Sequence, residues 1–258
     1  MKLSIVASLF AASVMAASCG NMDTNALMAG GVQAVQAMTL SDSDVRAYVS
    51  EYIAQLDAQS VVLPESNAYT KRLRKLTSGL TQVNGVPLNF KVYQTNDINA
   101  FACADGSVRV YTGLMDLMAD DEILGVIGHE IGHVAMHHTR KQMQNAIMAS
   151  AARTGLSGVS GTVGQLSASQ LGALGEAIVN AKYSRKQETQ SDDFAYDFLK
   201  AAGKNPACLM RGFQKLQSLE AKGGQTGQMV SNLFSSHPDT ASRISRIQAK
   251  LKADGLLK

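Results

Sequence analysis

Asp120-Asp121-Glu122-Ile123-Leu124-Gly125-Val126-Ile127-Gly128-His129-Glu130-Ile131-Gly132-His133-Val134-Ala135-Met136-His137-His138 decides the reading of this 258-residue chain. Three acids open the stretch, where negative charge offsets a helix dipole, and the pattern predicts one helix from Asp120 to about Ile147. His129 and His133 are four apart, so one turn of that helix stacks their imidazoles on a single face, within reach of one metal ion. Glu130, displaced by one position, can meet a water beside that ion without ligating it. The flanks Ile123, Leu124, Val126, Ile127, Ile131 and Val134 place the motif on a buried helix. Buried imidazoles beside a buried carboxylate need a partner that offsets lost solvation, and a cation serves all three. His137 continues the four-residue series but could ligate only by crowding the site. It and His138 read as structural or surface residues.

A hydrolytic zinc site takes three protein ligands and keeps a fourth position open. Glu188 is the candidate third ligand, in Tyr183-Ser184-Arg185-Lys186-Gln187-Glu188-Thr189-Gln190-Ser191-Asp192-Asp193. Asp192 lies four residues on, on the same helical face, and can accept a hydrogen bond from the far nitrogen of a ligating histidine. Without the upstream motif both would pass as surface acids. His237 is the one histidine outside residues 129–138. It precedes Pro238, which biases it to extended backbone, and by itself it reads as a core or helix-boundary residue.

Around these residues the pattern is α+β and mainly helical. Ser41 to Leu56 reads as a helix capped by Ser41, with Asp42 and Asp44 in its first turn. Ala68 to Leu80, Ala177 to Leu199 and Pro206 to Glu220 read as further helices. Val86 to Tyr93 alternates like a strand, and Asp97 to Thr112 like two extended arms joined by a turn at Ala104-Asp105-Gly106-Ser107. Gly155 to Gly175, rich in Gly, Ser and Ala, reads as a flexible loop leading into small-residue packing, with a mobile lid or membrane-interacting hairpin as the alternative.

The bulk composition, 45% hydrophobic and 17% charged, is that of a folded protein. The net charge of +3 is thinly spread, aromatics are 5% and Trp is absent, so a nucleic-acid surface has no support. Lys2 followed by the apolar run Leu3 to Ala17 suits a secretory signal and is shorter than the roughly 20 residues of a spanning helix. The run ends in Ala16-Ala17-Ser18-Cys19, similar to the lipobox of bacterial lipoproteins, with Ala16 where Leu is usual. Cys19 is therefore the expected lipidated first residue, and an ordinary cleavable signal is the alternative. Gly20 stands where an Asp would favour inner-membrane retention, so the expected location is the outer membrane of a Gram-negative bacterium, facing the periplasm. The expected organisation is a signal over 1–18, a tether over 19–40 and one domain over 41–258. Cys103 and Cys208 could pair in an exported protein, and the sequence leaves this open.

The motifs together resemble the M48 family of zinc peptidases, from about Pro64 to Ile247. The likeness rests on the zinc-helix motif, on Asn99-Ala100-Phe101-Ala102 with Val110-Tyr111-Thr112-Gly113-Leu114 before it, on Ser184-Arg185-x-x-Glu188-x-x-x-Asp192, and on His237-Pro238 with Arg243-Ile244. Gln190-Ser191 departs from the Glu-Ala usual in the family. The resemblance implies a gluzincin-type domain with a small sheet beside the zinc helix, whose edge strand holds substrate extended. It implies one zinc ion per chain on His129, His133 and Glu188, with Glu130 as catalytic base. His237 becomes a catalytic residue that donates to the oxyanion, with an inhibitory fourth ligand as the alternative, and Arg243 either helps position the site or lies on the surface. The implied activity is endopeptidase action on periplasmic or outer-membrane proteins, including misfolded ones, in envelope quality control. A catalytically weak periplasmic chaperone or assembly factor on the same scaffold is the main rival, and a non-proteolytic zinc hydrolase the second.

Overall fold

The computed structural model describes residues 41–145 and 182–257. Cys19, the tether and the Gly-rich stretch 155–175 lie outside the described residues.

The helix carrying the motif, α4 (Asp120–Ala135), runs through the middle of the domain. Its preceding helices are α1 (Asp42–Gln59), α2 (Ala68–Leu76) and the short α3 (Thr112–Leu117). Every α4 residue from Ile123 to Ala135 is buried, and Glu122 accepts the Ala119 N–H at 2.8 Å to close its N-terminus. Two glycines let neighbouring backbones come close. A methyl at Gly132 would sit 2.5 Å from the Ser191 carbonyl oxygen of α5 (Arg185–Ala201), and one at Gly125 would sit 2.5 Å from that of Cys208 in α6 (Ala207–Ala221). The chain finishes with α7 (Gly224–Ser236) and α8 (Thr240–Ala253).

The other side of α4 faces a three-stranded sheet in the order β3–β5–β4, from β3 (Asn89–Tyr93), β4 (Ala100–Ala102) and β5 (Ser107–Tyr111). β3 runs parallel to β5, and β4 pairs antiparallel with Phe101 opposite Arg109. Tyr111 N–H donates to Asn99 O and Cys103 N–H to Ser107 O. By antiparallel alternation, Ala100 and Ala102 then turn their N–H and C=O groups away from β5. Among the described residues no strand pairs with that edge.

On the sheet's far side α1 packs Val45, Val49 and Ile53 against Tyr93, Phe101 and Cys103. Asp57 of α1 anchors the contact. It accepts hydrogen bonds from Arg109 Nε and Nη2 at 2.8 and 2.9 Å and from Lys91 Nζ at 2.7 Å. Ser41 caps α1, as its sequence predicts, and Asp44 in turn accepts the Ser41 N–H.

Three boundaries differ from the sequence reading. The helix expected to reach Ile147 ends at Ala135, because His137 takes a left-handed conformation at φ 55°, and the chain is helical again over residues 138–145. The helix expected from Ala177 begins, in the described residues, at Arg185: Ser184 and Gln187 form a capping box that starts it there. The strand expected over Val86–Tyr93 is split. β2 (Val86–Pro87) folds back on β1 (Gln82–Val83) through Asn84-Gly85, both at positive φ, and β3 starts after it. The turn at Ala104–Ser107 joins β4 to β5 as read.

Candidate metal centre and active-site cleft

His129 and His133 of α4, Glu188 of α5 and His237, the residue after α7, bring ligand atoms within 4.8 Å of one another, all of them buried or nearly so. His129 Nε2 lies 3.1 Å from His133 Nε2. Glu188 Oε1 is 3.3 Å from His133 Nε2, and its Oε2 is 3.5 Å from His129 Nε2. His237 Nδ1 lies 3.2 Å from His129 Nε2 and 3.3 Å from Glu188 Oε1.

These separations suit a zinc ion. Ligands about 2.0–2.1 Å from a tetrahedral zinc stand about 3.3 Å apart. Protonation agrees with the spacing. Asp192 Oδ1, 2.9 Å from His129 Nδ1, can only accept, so His129 carries its proton there and turns a lone pair inward. Burial pushes the His133 imidazole well below the ordinary histidine range, which leaves it neutral and able to ligate.

Arg243 of α8 reaches in from below with its guanidinium over the Phe213 ring, 4.3 Å from its centre. It donates from Nε to Asp192 Oδ2 and from Nη2 to Asp192 Oδ1, both at 2.7 Å. Its Nη1 contacts Glu188 Oε2 as an ion pair, although that oxygen has no hydrogen bond of ordinary geometry. Two opposite charges with almost no solvent exposure hold one another there. Burial by itself would raise both carboxyls, but His129 and its neighbours pull Glu188 well below the carboxylate range, and Arg243 leads in lowering Asp192. Arg243, left open between a positioning and a surface role by the sequence, is buried and holds two of the site's acids.

Glu130 points from α4 into a cleft of about 400 Å³ between β4 and α7, lined by Ala100, Phe101, Ala102, Tyr183, Met229 and His237. Its Oε1 lies 3.7 Å from His237 Nε2. Burial pushes the Glu130 carboxyl up, the direction that suits a proton acceptor working near neutral pH. For His237, burial works downward, but the charges of Glu130 and Glu188 outweigh it and raise the imidazole.

Four of the proposed residues thus meet at one point, with Asp192 behind them and Glu130 at the cleft wall. Of the two neighbouring histidines, His137 is exposed beside Asp42, while His138 is buried with its Nδ1 2.8 Å from His133 Nδ1. Ser191, one of the two departures from the family pattern, donates to the His129 carbonyl across the α4–α5 contact. Cys103 and Cys208 are both buried and free, Cys103 in the cluster with α1 and Cys208 in the main core.

Two facing imidazoles on an H-E-x-x-H helix, a glutamate from a later helix and a base at the cleft define a zinc metallopeptidase centre of the gluzincin type. The chain belongs to peptidase family M48, whose model matches residues 67–251. It is 41% identical to the metalloprotease LoiP of Escherichia coli strain K12, over 99% of this chain and the whole of that protein. It is 44% identical to the metalloprotease YcaL of the same organism, over 89% of each chain. A protease HtpX homolog of Nostoc punctiforme is 26% identical over 78% of this chain and 80% of its own. The protein is a zinc metalloprotease. Among its described residues no helix is long and apolar enough to cross a membrane.

Proposed function

We propose that this metalloprotease cleaves extended segments of unfolded envelope proteins, while anchored through a lipidated Cys19 to the outer membrane and facing the periplasm. The observation that carries the substrate class is the edge of β4 with which no strand pairs among the described residues, and which lies along the cleft that Glu130 enters. A peptide added to such an edge is held by main-chain hydrogen bonds, so backbone is read and many side chains are tolerated. Only a segment free of its own pairing can lie there, which favours unfolded over folded targets.

His129, His133 and Glu188 would hold the zinc ion, one per chain. Bound there, zinc supplies Lewis acidity toward the scissile carbonyl and toward the attacking water. Glu130 takes the proton of that water and returns it to the departing amine. Asp192 fixes the tautomer of His129, and Arg243 fixes Asp192 and Glu188. His237 Nδ1 lies inside the ligand cluster, which favours the inhibitory fourth-ligand role over the oxyanion role in this conformation.

The anchor and the location rest on the sequence reading of residues 1–20. Two measurements test the proposal together. The purified chain should cut a chemically unfolded outer-membrane protein and leave its folded form intact, and equal cleavage of both would refute the edge-strand reading. In cells, Cys19→Ala should move the protein from the membrane to the soluble periplasmic fraction. Variant protein that still fractionates wholly with membranes would refute the anchor.

A further inference from the structure

His129 and His133 are backed in different ways. The outer nitrogen of His129 meets a carboxylate, Asp192, whose charge Arg243 offsets. That of His133 meets another imidazole: His133 Nδ1 and His138 Nδ1 are 2.8 Å apart, and His138 Nε2 lies 3.3 Å from Gln190 Oε1. His138 therefore sits on the side of the His133 ring away from the ligand cluster, out of reach as a ligand itself. The left-handed turn at His137 puts it there. On an unbroken helix residue 138 would point about 140° away from residue 133.

Two neutral imidazoles whose nitrogens face each other at hydrogen-bond distance share one proton, and only two arrangements exist. In one, His133 Nδ1–H donates to His138 Nδ1, the His138 proton lies on Nε2, and Gln190 Oε1 accepts it. In the other, His138 Nδ1–H donates, His133 carries its proton on Nε2 among the ligand atoms, and His138 Nε2 needs a donor. In the second, the proton on His133 Nε2 would face Glu188 Oε1 at 3.3 Å, but His138 Nε2 would be left with its lone pair against the Gln190 oxygen; that oxygen selects the first.

We propose that His138 is a positioning residue that, anchored by Gln190, holds His133 in the Nδ1–H tautomer and keeps His133 Nε2 free for the metal. This rests on the reading of His133 as a zinc ligand. The relay also accounts for an amide at position 190. It fixes a proton without adding a charge to a site that already holds Glu130, Glu188 and Asp192.

The test compares the full chain with His138→Phe, Gln190→Leu and Gln190→Glu. Long-range ¹H–¹⁵N correlation on the zinc-free protein reports which nitrogen of His133 is protonated, and competition with a chelator reports zinc affinity. His138→Phe removes the acceptor. Gln190→Leu changes only a half-buried side chain and keeps the test open if the first variant misfolds. Both should turn His133 into a mixture of tautomers and lower zinc affinity by about 10–100-fold, the usual weight of a group behind a metal ligand. Gln190→Glu keeps an acceptor at that place and should retain the wild-type tautomer. An unchanged His133 tautomer in the first two variants, or zinc affinity within about threefold of wild type, would overturn the relay. Failure of the wild-type chain to bind zinc would instead strike the ligand reading, and the zinc-free tautomer would still decide the relay.

Discussion

Asp192 and Arg243, 51 residues apart in sequence, form a two-pronged ion pair at 2.7 Å on each arm, with side-chain exposures of 2% and 5%. The pair ties α8 to the back of the metal centre. Because the same guanidinium touches Glu188, one cation offsets two of the acids that the site buries.

Arg243→Met should therefore expose the cost of those acids when no metal is present. Removing one partner of a buried pair costs about 3–5 kcal/mol, and urea unfolding of the zinc-free variant should show a loss of that size. Saturating zinc should shrink the difference, since the ion replaces the missing charge. Unchanged zinc-free stability would mean that the pair is ornamental.

Asp57 offers a pH-dependent case far from the metal. Burial alone would raise its carboxyl, but hydrogen bonds from Arg109, Lys91 and Tyr93 outweigh this and hold it at about 2. A carboxylate with a depressed folded value binds its proton more readily in the unfolded chain. Its contribution is thus fully present above the ordinary value of about 3.9 and is lost as pH falls from there toward about 2. Asp57→Asn should destabilise the protein at pH 7, by about 3 kcal/mol if Arg109 is left buried and unpaired. The gap between variant and wild type should narrow below about pH 4. Denaturant midpoints across pH 2–7 would show this, and a gap that stays constant with pH would assign the effect to packing.

His237 divides two accounts of the resting enzyme. With its Nδ1 among the ligand atoms, a His237 that acts as fourth ligand would fill the position that water or substrate needs, and His237→Ala should then raise basal peptide cleavage. A donor to the oxyanion would behave oppositely, and its loss would lower turnover by about 10²–10³-fold. Steady-state cleavage by the purified variant separates them, and a rate equal to wild type would leave His237 structural.

How much of this was legible in the chain follows from the range of the interactions involved. The α4 motif announces itself because a four-residue spacing and an apolar flank are local signals. The β4–turn–β5 unit does so because Ala104–Ser107 carries its own turn chemistry. The start of α5 was equally local, in Ser184 and Gln187, but the small apolar residues upstream mask it with a helical pattern of their own. The break after Ala135 was not legible, since the helical pattern runs on past it and neither Gly nor Asn, the usual residues of a left-handed helix end, stands there. Asp192 with Arg243, and His138 with Gln190, join residues more than 50 positions apart, and only the packing of α5 against α8 and against the segment after α4 brings them together.

The central claim is that Glu130 is the proton acceptor of a zinc peptidase centre built by His129, His133 and Glu188. Glu130→Gln keeps the size of the side chain and removes its basicity. Metal analysis and peptide cleavage on the purified wild type and variant decide the matter. The account predicts one zinc ion per chain in both proteins, with cleavage by the variant reduced by about 10²–10⁴-fold or more. Cleavage within about tenfold of wild type, with zinc still bound, would contradict it.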